Sequence, residues 1–344
     1  MRNIHSRFAS IFLCLALCMC VQLCAAQTQP TSVVQTTPQR DEVKIGAYLT
    51  SLYNINQSRG TFSADLWIWA LSNPKTNYKI EEALEINYIS NEFPRTFSGY
   101  YTEPVTPGVK IEQRKIQGVF LHDFDMENFP FDKQRLKISF EDSSNDLTKM
   151  VYTADTQSGY DPAISIDGWI IQNLTATQEV KEYNSNFGVF TKPDHVQYSR
   201  IVVTAELMRD SSAIFLKLTL GLLIAVLVAL CSCLMPTHSE DIFSGRMGLL
   251  GGALIAAVVN QQFADASQGN TTTVTLVDKL HMLGMFVMIT LLGATSQSRR
   301  LYELHSDGTA SKRFDLQALS ACSALFFGVS MALVALAIHK AHNA

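Results

Sequence analysis

From Ala25 to Leu230 this 344-residue chain has no cysteine, so the fold of that stretch is not a disulfide scaffold. Of its seven cysteines, Cys14, Cys18, Cys20 and Cys24 lie in an N-terminal apolar stretch, and Cys231, Cys233 and Cys322 in later apolar runs. The Cys231-x-Cys233 spacing is not that of a metal or redox CxxC pair, and in an apolar run it reads as packing. Also missing are G-x-S-x-G, HExxH, a P-loop and a Gly-rich dinucleotide turn, and no spacing ties Ser, His and Asp into a triad. An enzyme is therefore not expected. A formal net charge of −4 gives no sign of a nucleic-acid partner.

What the chain does have is apolar content, 47% of residues, very unevenly spread. Residues 1–26 combine basic Arg2 and Arg7 with an apolar run from Ile11 to Leu23 and end in Ala25-Ala26 before Gln27. This reads as a secretory signal removed after Ala26, which would start the mature protein outside the cytosol. Residues 27–40, polar and rich in Pro and Thr, read as a disordered leader.

Residues 41–209 show period-two alternation in short runs broken by turn residues. Strands are expected at Val43–Tyr53, Thr61–Leu71, Leu84–Ile89, Val109–Phe120, Leu136–Phe140, Trp169–Ala176, Phe187–Phe190 and Val196–Leu207. The Asn54–Gly60 segment should be a hairpin loop. The predicted fold class is an all-β extracellular immunoglobulin-like sandwich followed by an all-α four-helix transmembrane domain.

Residues 210–344 contain four apolar segments, predicting helices at about 213–235, 244–263, 277–296 and 316–338. With the N-terminus outside, four crossings return the C-terminus to the outside. The expected inner loop 295–315 carries Arg299, Arg300, Lys312 and Arg313, whereas the outer loop 264–275 carries no Lys or Arg, as the positive-inside rule requires. Lys217 reads as a snorkelling residue, and Asp278, Lys279 and His281 belong at the outer boundary.

The second apolar segment differs from the others. Its run from Met247 to Val259 is shorter than the roughly 20 residues a lipid-facing helix needs, and Asn260, Gln261 and Gln262 follow at once. At helical spacing one face collects Gly248, Gly252, Ile255, Val259, Gln262 and Ala266. Such a face, small at one end, apolar in the middle and polar at the other, suits a water-filled pore with Ile255 and Val259 as a dewetting gate. It equally suits close helix packing through small residues.

The stretch ENFPFDKQRLKI, residues 127–138, is a Pro-stiffened turn that presents Phe129 and Phe131 beside Pro130 and Asp132. A stiff apolar loop tip implies a greasy surface against it. FPFDKQ followed by an alternating strand resembles the signature loop of the pentameric ligand-gated ion channels, the Cys-loop receptor superfamily. His122 and Leu136 stand where the animal members carry the bracketing cysteines, which resembles the bacterial branch. The likeness continues in Arg209 before the first membrane helix, in MPT at 235–237 and in FSGRMGL at 243–249. Gly221 stands where the family usually has proline, and the aromatic-Pro motif of the first ligand-binding loop is not visible.

The resemblance implies a homo-pentamer in the plasma (inner) membrane that conducts inorganic ions when an agonist binds between subunits. Gating would couple through the Pro130 loop, the hairpin tip at Asn56 and the outer loop, with Arg209 paired to Asp132 or, alternatively, anchored at the headgroups. At the mouths, Gly245, Arg246, Glu240, Asp241 and Asp265 leave the sign of selectivity open. Tyr183, Phe187, Phe190 and Tyr198, with Trp169 further off, are candidate ligand-binding aromatics or simply core. Acidic clusters around Asp123, Asp125 and Glu127, and around Glu141, Asp142 and Asp146, are candidate Ca2+ sites or solvated loops. With His122 they make protons a candidate agonist beside a small molecule. The competing reading is a non-conducting, membrane-anchored ligand-binding sensor.

Overall fold

A computed structural model describes residues 40–87, 96–189, 192–269, 272–305 and 308–343; the expected signal and most of the leader lie outside them. Ten strands form two sheets. β1 (Asp41–Asn56), β2 (Thr61–Ser72), β4 (Thr96–Thr106), β5 (Val109–Leu121) and β7 (Met150–Ala154) pair in the order β4-β5-β2-β1-β7, and the two-residue β8 (Gly159–Tyr160) joins β1. β3 (Leu84–Asn87), β6 (Lys133–Asp142), β9 (Trp169–Tyr183) and β10 (Val196–Arg209) form the second sheet in the order β3-β6-β10-β9.

Alternation does what period-two patterning requires. Phe62, Ala64, Leu66, Ile68 and Ala70 of β2 face inward, as do Ile201, Val203, Ala205 and Leu207 of β10, and one apolar core joins both sheets. In β1 the inward set jumps from Leu49 to Leu52, and the register shift between Leu49 and Ser51 absorbs the extra residue.

Several strand expectations need correction. Period-two alternation of this kind signals an antiparallel sandwich, but β7 and β8 run parallel to β1. Phe187–Phe190 is not a strand: Phe187 and Gly188 both take positive φ, 53° and 77°, which turns the chain, and Phe190 lies outside the described residues. β4 is a strand that alternation does not indicate; Gly99 and Pro104 fall at the two register shifts of this edge strand, where a sheet tolerates them.

Four helices follow: α1 (Ser212–Cys231), extended by a 3-10 turn to Leu234, α2 (Glu240–Gln268), α3 (Leu276–His305) and α4 (Thr309–Asn343). All four are long and apolar enough to cross a membrane, which marks a multi-pass membrane protein. α2, α3 and α4 outrun their apolar segments because polar residues continue them at their ends. At about 1.5 Å per residue, the 29 residues of α2 reach about 44 Å, well beyond a hydrocarbon core of about 30 Å. Leu222 and Val226 of α1, Leu250, Ala253 and Ala257 of α2, Val287 and Leu291 of α3 and Phe326 of α4 build the shared helical core. Cys233 and Cys322 are buried in it as free thiols, while Cys231 is exposed.

Candidate functional site

The two faces of α2 differ sharply. Arg246, Leu250, Ala253, Ala257, Ala264 and Gln268 are buried at helical spacing against the rest of the chain. Gly248, Gly252, Ile255, Val259, Gln262 and Ala266 form an exposed stripe, with Ile255 67% accessible. A Cβ added at Gly248 or Gly252 would meet nothing within 4 Å, so within this chain these glycines are not close-packing positions.

Of the three successive amides, only Gln262 lies on that stripe. Asn260 turns inward, where its Nδ2 donates to the Leu218 carbonyl at 2.9 Å and lies 2.8 Å from His281 Nε2. His281 is fully buried, and its Nδ1 lies 2.8 Å from the Val277 carbonyl. A ring that donates from Nδ1 therefore accepts from Asn260 at Nε2. The amide reaches this seat because α1 carries Gly221 there: a Cβ would collide with Asn260 Oδ1. Gly221 thus lies at a three-helix hydrogen-bonded crossing that apolarity alone could not have revealed.

At the opposite end of α2, the expectation that Arg246 stands at a pore mouth is corrected. Its side chain is fully buried, Nη2 donates to Asp315 Oδ1 of α4 at 2.9 Å, and Nη1 donates to the Met235 carbonyl at 3.1 Å. Glu240, Asp241 and Gly245 are exposed, as is Asp265 near the other end. Ser239 caps the helix, its hydroxyl accepting from Ile242 N at 3.3 Å.

Where the β-domain meets the helices, Arg209 and Asp132 form a two-pronged ion pair, Nε to Oδ1 at 2.6 Å and Nη2 to Oδ2 at 3.0 Å, both side chains buried. Asp132 Oδ2 also accepts from Gln134 Nε2 at 2.8 Å. The guanidinium lies 4.0 Å from the Trp169 ring centroid and 4.9 Å from that of Phe129. Of its two readings, ligand-binding aromatic or core, Trp169 takes the core one: it is a wall of this junction, placed there by its register opposite Arg209 between β9 and β10.

The loop tip is the greasy contact its sequence implies. Pro130 is buried and the Phe129–Pro130 bond is cis. Phe129 packs with Met126, Ala264 and Val277, and the Phe131 ring lies 5.2 Å from that of Phe215 on α1. From the β1–β2 tip, Gln57 approaches the Arg209 guanidinium with its amide turned so that the oxygen accepts. Ser58 lies so close to Gly269 that a Cβ there would collide with it. The Pro130 loop, the hairpin tip and the α2–α3 connection thus meet. At this tip Asn56 Oδ1 accepts from Arg59 N at 3.0 Å and shapes the turn. Glu127 adds an exposed link to Lys340 at 3.1 Å and to Lys279 at 3.7 Å, and its carboxyl is held below the usual range, mainly by the Lys340 hydrogen bond.

Tyr183, Phe187 and Tyr198 form an edge-to-face cluster with centroids 5.4, 5.8 and 6.3 Å apart, and Phe187 is exposed. Beneath it, Arg200 grips Glu141 Oε2 at 2.9 and 2.7 Å, and Tyr183 donates to Glu141 at 3.0 Å. Burial and that carboxylate raise the Tyr183 phenol above its usual range. The chain's own ammonium groups face two of the rings, Lys181 at 5.7 Å from Tyr183 and Lys192 at 5.5 Å from Tyr198.

The acidic clusters are committed to local work. Glu141 serves Arg200, Asp142 accepts from Ser144 N and Asn145 N, Asp146 pairs with Lys192 at 3.4 Å, and Asp125 accepts from Glu127 N. Among the described residues no group of three or more His, Cys, Asp or Glu is arranged to hold a metal ion. His122 lies edge-on between Phe124 at 4.6 Å and Phe62 at 6.2 Å, and burial pushes its pKa down. No protein-family model matches the chain, and no curated protein matches it as a relative.

Proposed function

We propose that five copies of this chain form a ligand-gated ion channel in the plasma (inner) membrane, with the β-domain and the C-terminus on the outer side. The observation that carries this reading is the exposed stripe of α2. A helix face that puts Gln262 beside Ile255 and Val259, with carboxylates exposed at Asp241 and Asp265, is poorly matched to lipid and well matched to water. One such face per subunit cannot enclose a pore, so the subunits must close a ring, and the resemblance to pentameric channels implies five.

The wiring of the β-domain supports gating. Tyr198 and Arg209 lie on the same strand, β10, eleven residues or about 37 Å apart, and α1 begins three residues beyond Arg209. A ligand that moves the 183–198 loop, over an immunoglobulin-like sandwich, would pull on the junction through a hydrogen-bonded strand. The agonist is a small molecule or a proton, and the Ile255–Val259 belt is the gate.

Purified protein in a planar bilayer tests the reading. Unitary currents are expected, and Ile255→Ser should raise the current of the closed state by wetting the belt. Absence of any current from folded, oligomeric protein would replace the channel with a non-conducting, membrane-anchored sensor.

A further inference from the structure

We propose that this channel passes cations, and that Asp315 fixes the sign by holding Arg246 out of the conducting path. The inference rests on α2 lining the pore, and it adds a positioning residue from a helix that does not line it.

Arg246 is the only Lys or Arg in α2. With its guanidinium fully buried, the exposed charges of this helix are Glu240, Asp241 and Asp265, all negative. The connection from Met235 to Ser239 adds no Lys or Arg. The positive end of the α2 dipole is equivalent to about half a unit charge, and two carboxylates outweigh it at the same end of the helix. Each subunit therefore brings net negative charge to the inner mouth, and a ring of subunits focuses it. An arginine swung onto the exposed face would cancel most of that charge.

What prevents the swing is a seat built from three other elements. Asp315 Oδ1 receives Arg246 Nη2 at 2.9 Å, while Asp315 Oδ2 accepts from Ser298 Oγ of α3 at 2.9 Å. Ser311 Oγ lies 2.7 Å from Ser298 Oγ, and Thr237 Oγ1 lies 3.1 and 3.2 Å from the two serine hydroxyls. Arg299 Nη1 ties the Thr237 carbonyl into the same cluster at 2.9 Å. Among the described residues Arg246 Nε has no hydrogen-bond partner, so the guanidinium is held through its Nη atoms, by Asp315 and the Met235 carbonyl. Of the remaining Lys and Arg of this end, Arg299 reaches the Thr237 and His238 carbonyls but is paired with Glu303 at 2.8 Å, and Arg300, Lys312 and Arg313 belong to α3 and α4.

Reversal potentials in an asymmetric KCl gradient test the assignment. The native channel should reverse close to the potassium equilibrium potential. Replacing Glu240→Gln with Asp241→Asn should lower the K+ to Cl− permeability ratio about tenfold. Asp315→Asn should shift it in the same direction, and Asp315→Glu should keep it; a purely structural Asp315 would change expression or current amplitude and leave the reversal potential alone. Should Asp315→Asn not assemble, Gly245→Arg serves, because an added Cβ there meets nothing within 4 Å and the new charge lies on the exposed face. It should move the reversal potential toward chloride. Native reversal near the chloride potential, or no shift with Gly245→Arg, overturns the inference while leaving the channel standing; no current at all overturns the channel itself.

Discussion

Two buried arginine–aspartate pairs stand at opposite ends of the helical domain, and they are built differently. Arg209 and Asp132 meet through two parallel hydrogen bonds between two aromatic rings, with Gln134 completing the carboxylate. Arg246 gives Asp315 a single hydrogen bond, donates its second to a carbonyl and leaves Nε unused. The first pair is saturated and joins a β-strand to a loop that presses on helices. The second is under-satisfied and joins two helices through a cluster of hydroxyls. A two-pronged, ring-walled pair fixes the orientation of both groups, which suits the coupling role proposed for this joint; a single-pronged pair holds a charge in place without fixing its orientation.

The largest effects should come from breaking the saturated pair. Asp132→Asn or Arg209→Met leaves a buried charge without its partner and should cost about 3–5 kcal/mol, read as a lowered thermal midpoint in detergent. Charge reversal at either position should abolish gating, and the double reversal should restore part of it. If the double reversal restores none, the pair does not carry coupling. Replacing the inner pair by apolar residues, Arg246→Met with Asp315→Leu, should be near neutral or stabilising, since desolvating two charges offsets their attraction. The same exchange at the junction should retain assembly and lose gating, so equal behaviour at the two sites would erase the contrast.

A pH effect of intermediate size belongs to the junction end. Burial lowers the folded-state pKa of His122 from 6.5, so the unfolded chain binds a proton that the folded chain resists. Its contribution is complete above pH 6.5 and is lost as pH falls below that value, with a slope of at most about 1.4 kcal/mol per pH unit. His122→Gln should flatten the melting profile between pH 7 and 5.5; an unaltered profile would remove His122 from consideration as a proton sensor. The smallest effect should follow from Lys340→Gln. Its link to Glu127 is exposed, so the thermal midpoint should move by no more than about 1 °C, and less at high salt.

The difference between the pairs is also a difference in what a sequence can disclose. FPFDKQ and Arg209 are local signals, each read within a few residues, and together they brought the right two side chains to one place. Alternation likewise delivered most strands, and uninterrupted apolar runs delivered four helices. Arg246–Asp315 spans 69 residues between two apolar segments, where an arginine at the edge of a run reads as a boundary or a mouth. Helical spacing puts Arg246 away from the Gly248–Val259 face, but nothing near it names Asp315 as its partner, because that is settled by which helices cover the other side of α2. Trp169 stays open between core and ligand wall in the sequence for the same reason, since the β9–β10 register that sets it against Arg209 is non-local. Gly221 and Asn260 were each noticed alone, as a missing proline and as an amide; only the packing of α1 on α2 makes them one contact.

The apolar belt of α2 has an electrical consequence. Ile255 and Val259 are separated by about 6 Å along the helix axis, about one-fifth of a hydrocarbon core of about 30 Å. In the channel proposed above, water would conduct and a dewetted belt would not, so with wet vestibules on both sides the transmembrane voltage of the closed state would fall almost wholly across that short segment. The local field there is then about five times the bilayer average, and a monovalent ion crossing from one side of Ile255 to the other side of Val259 takes up nearly the whole of about 2.3 kcal/mol per 100 mV.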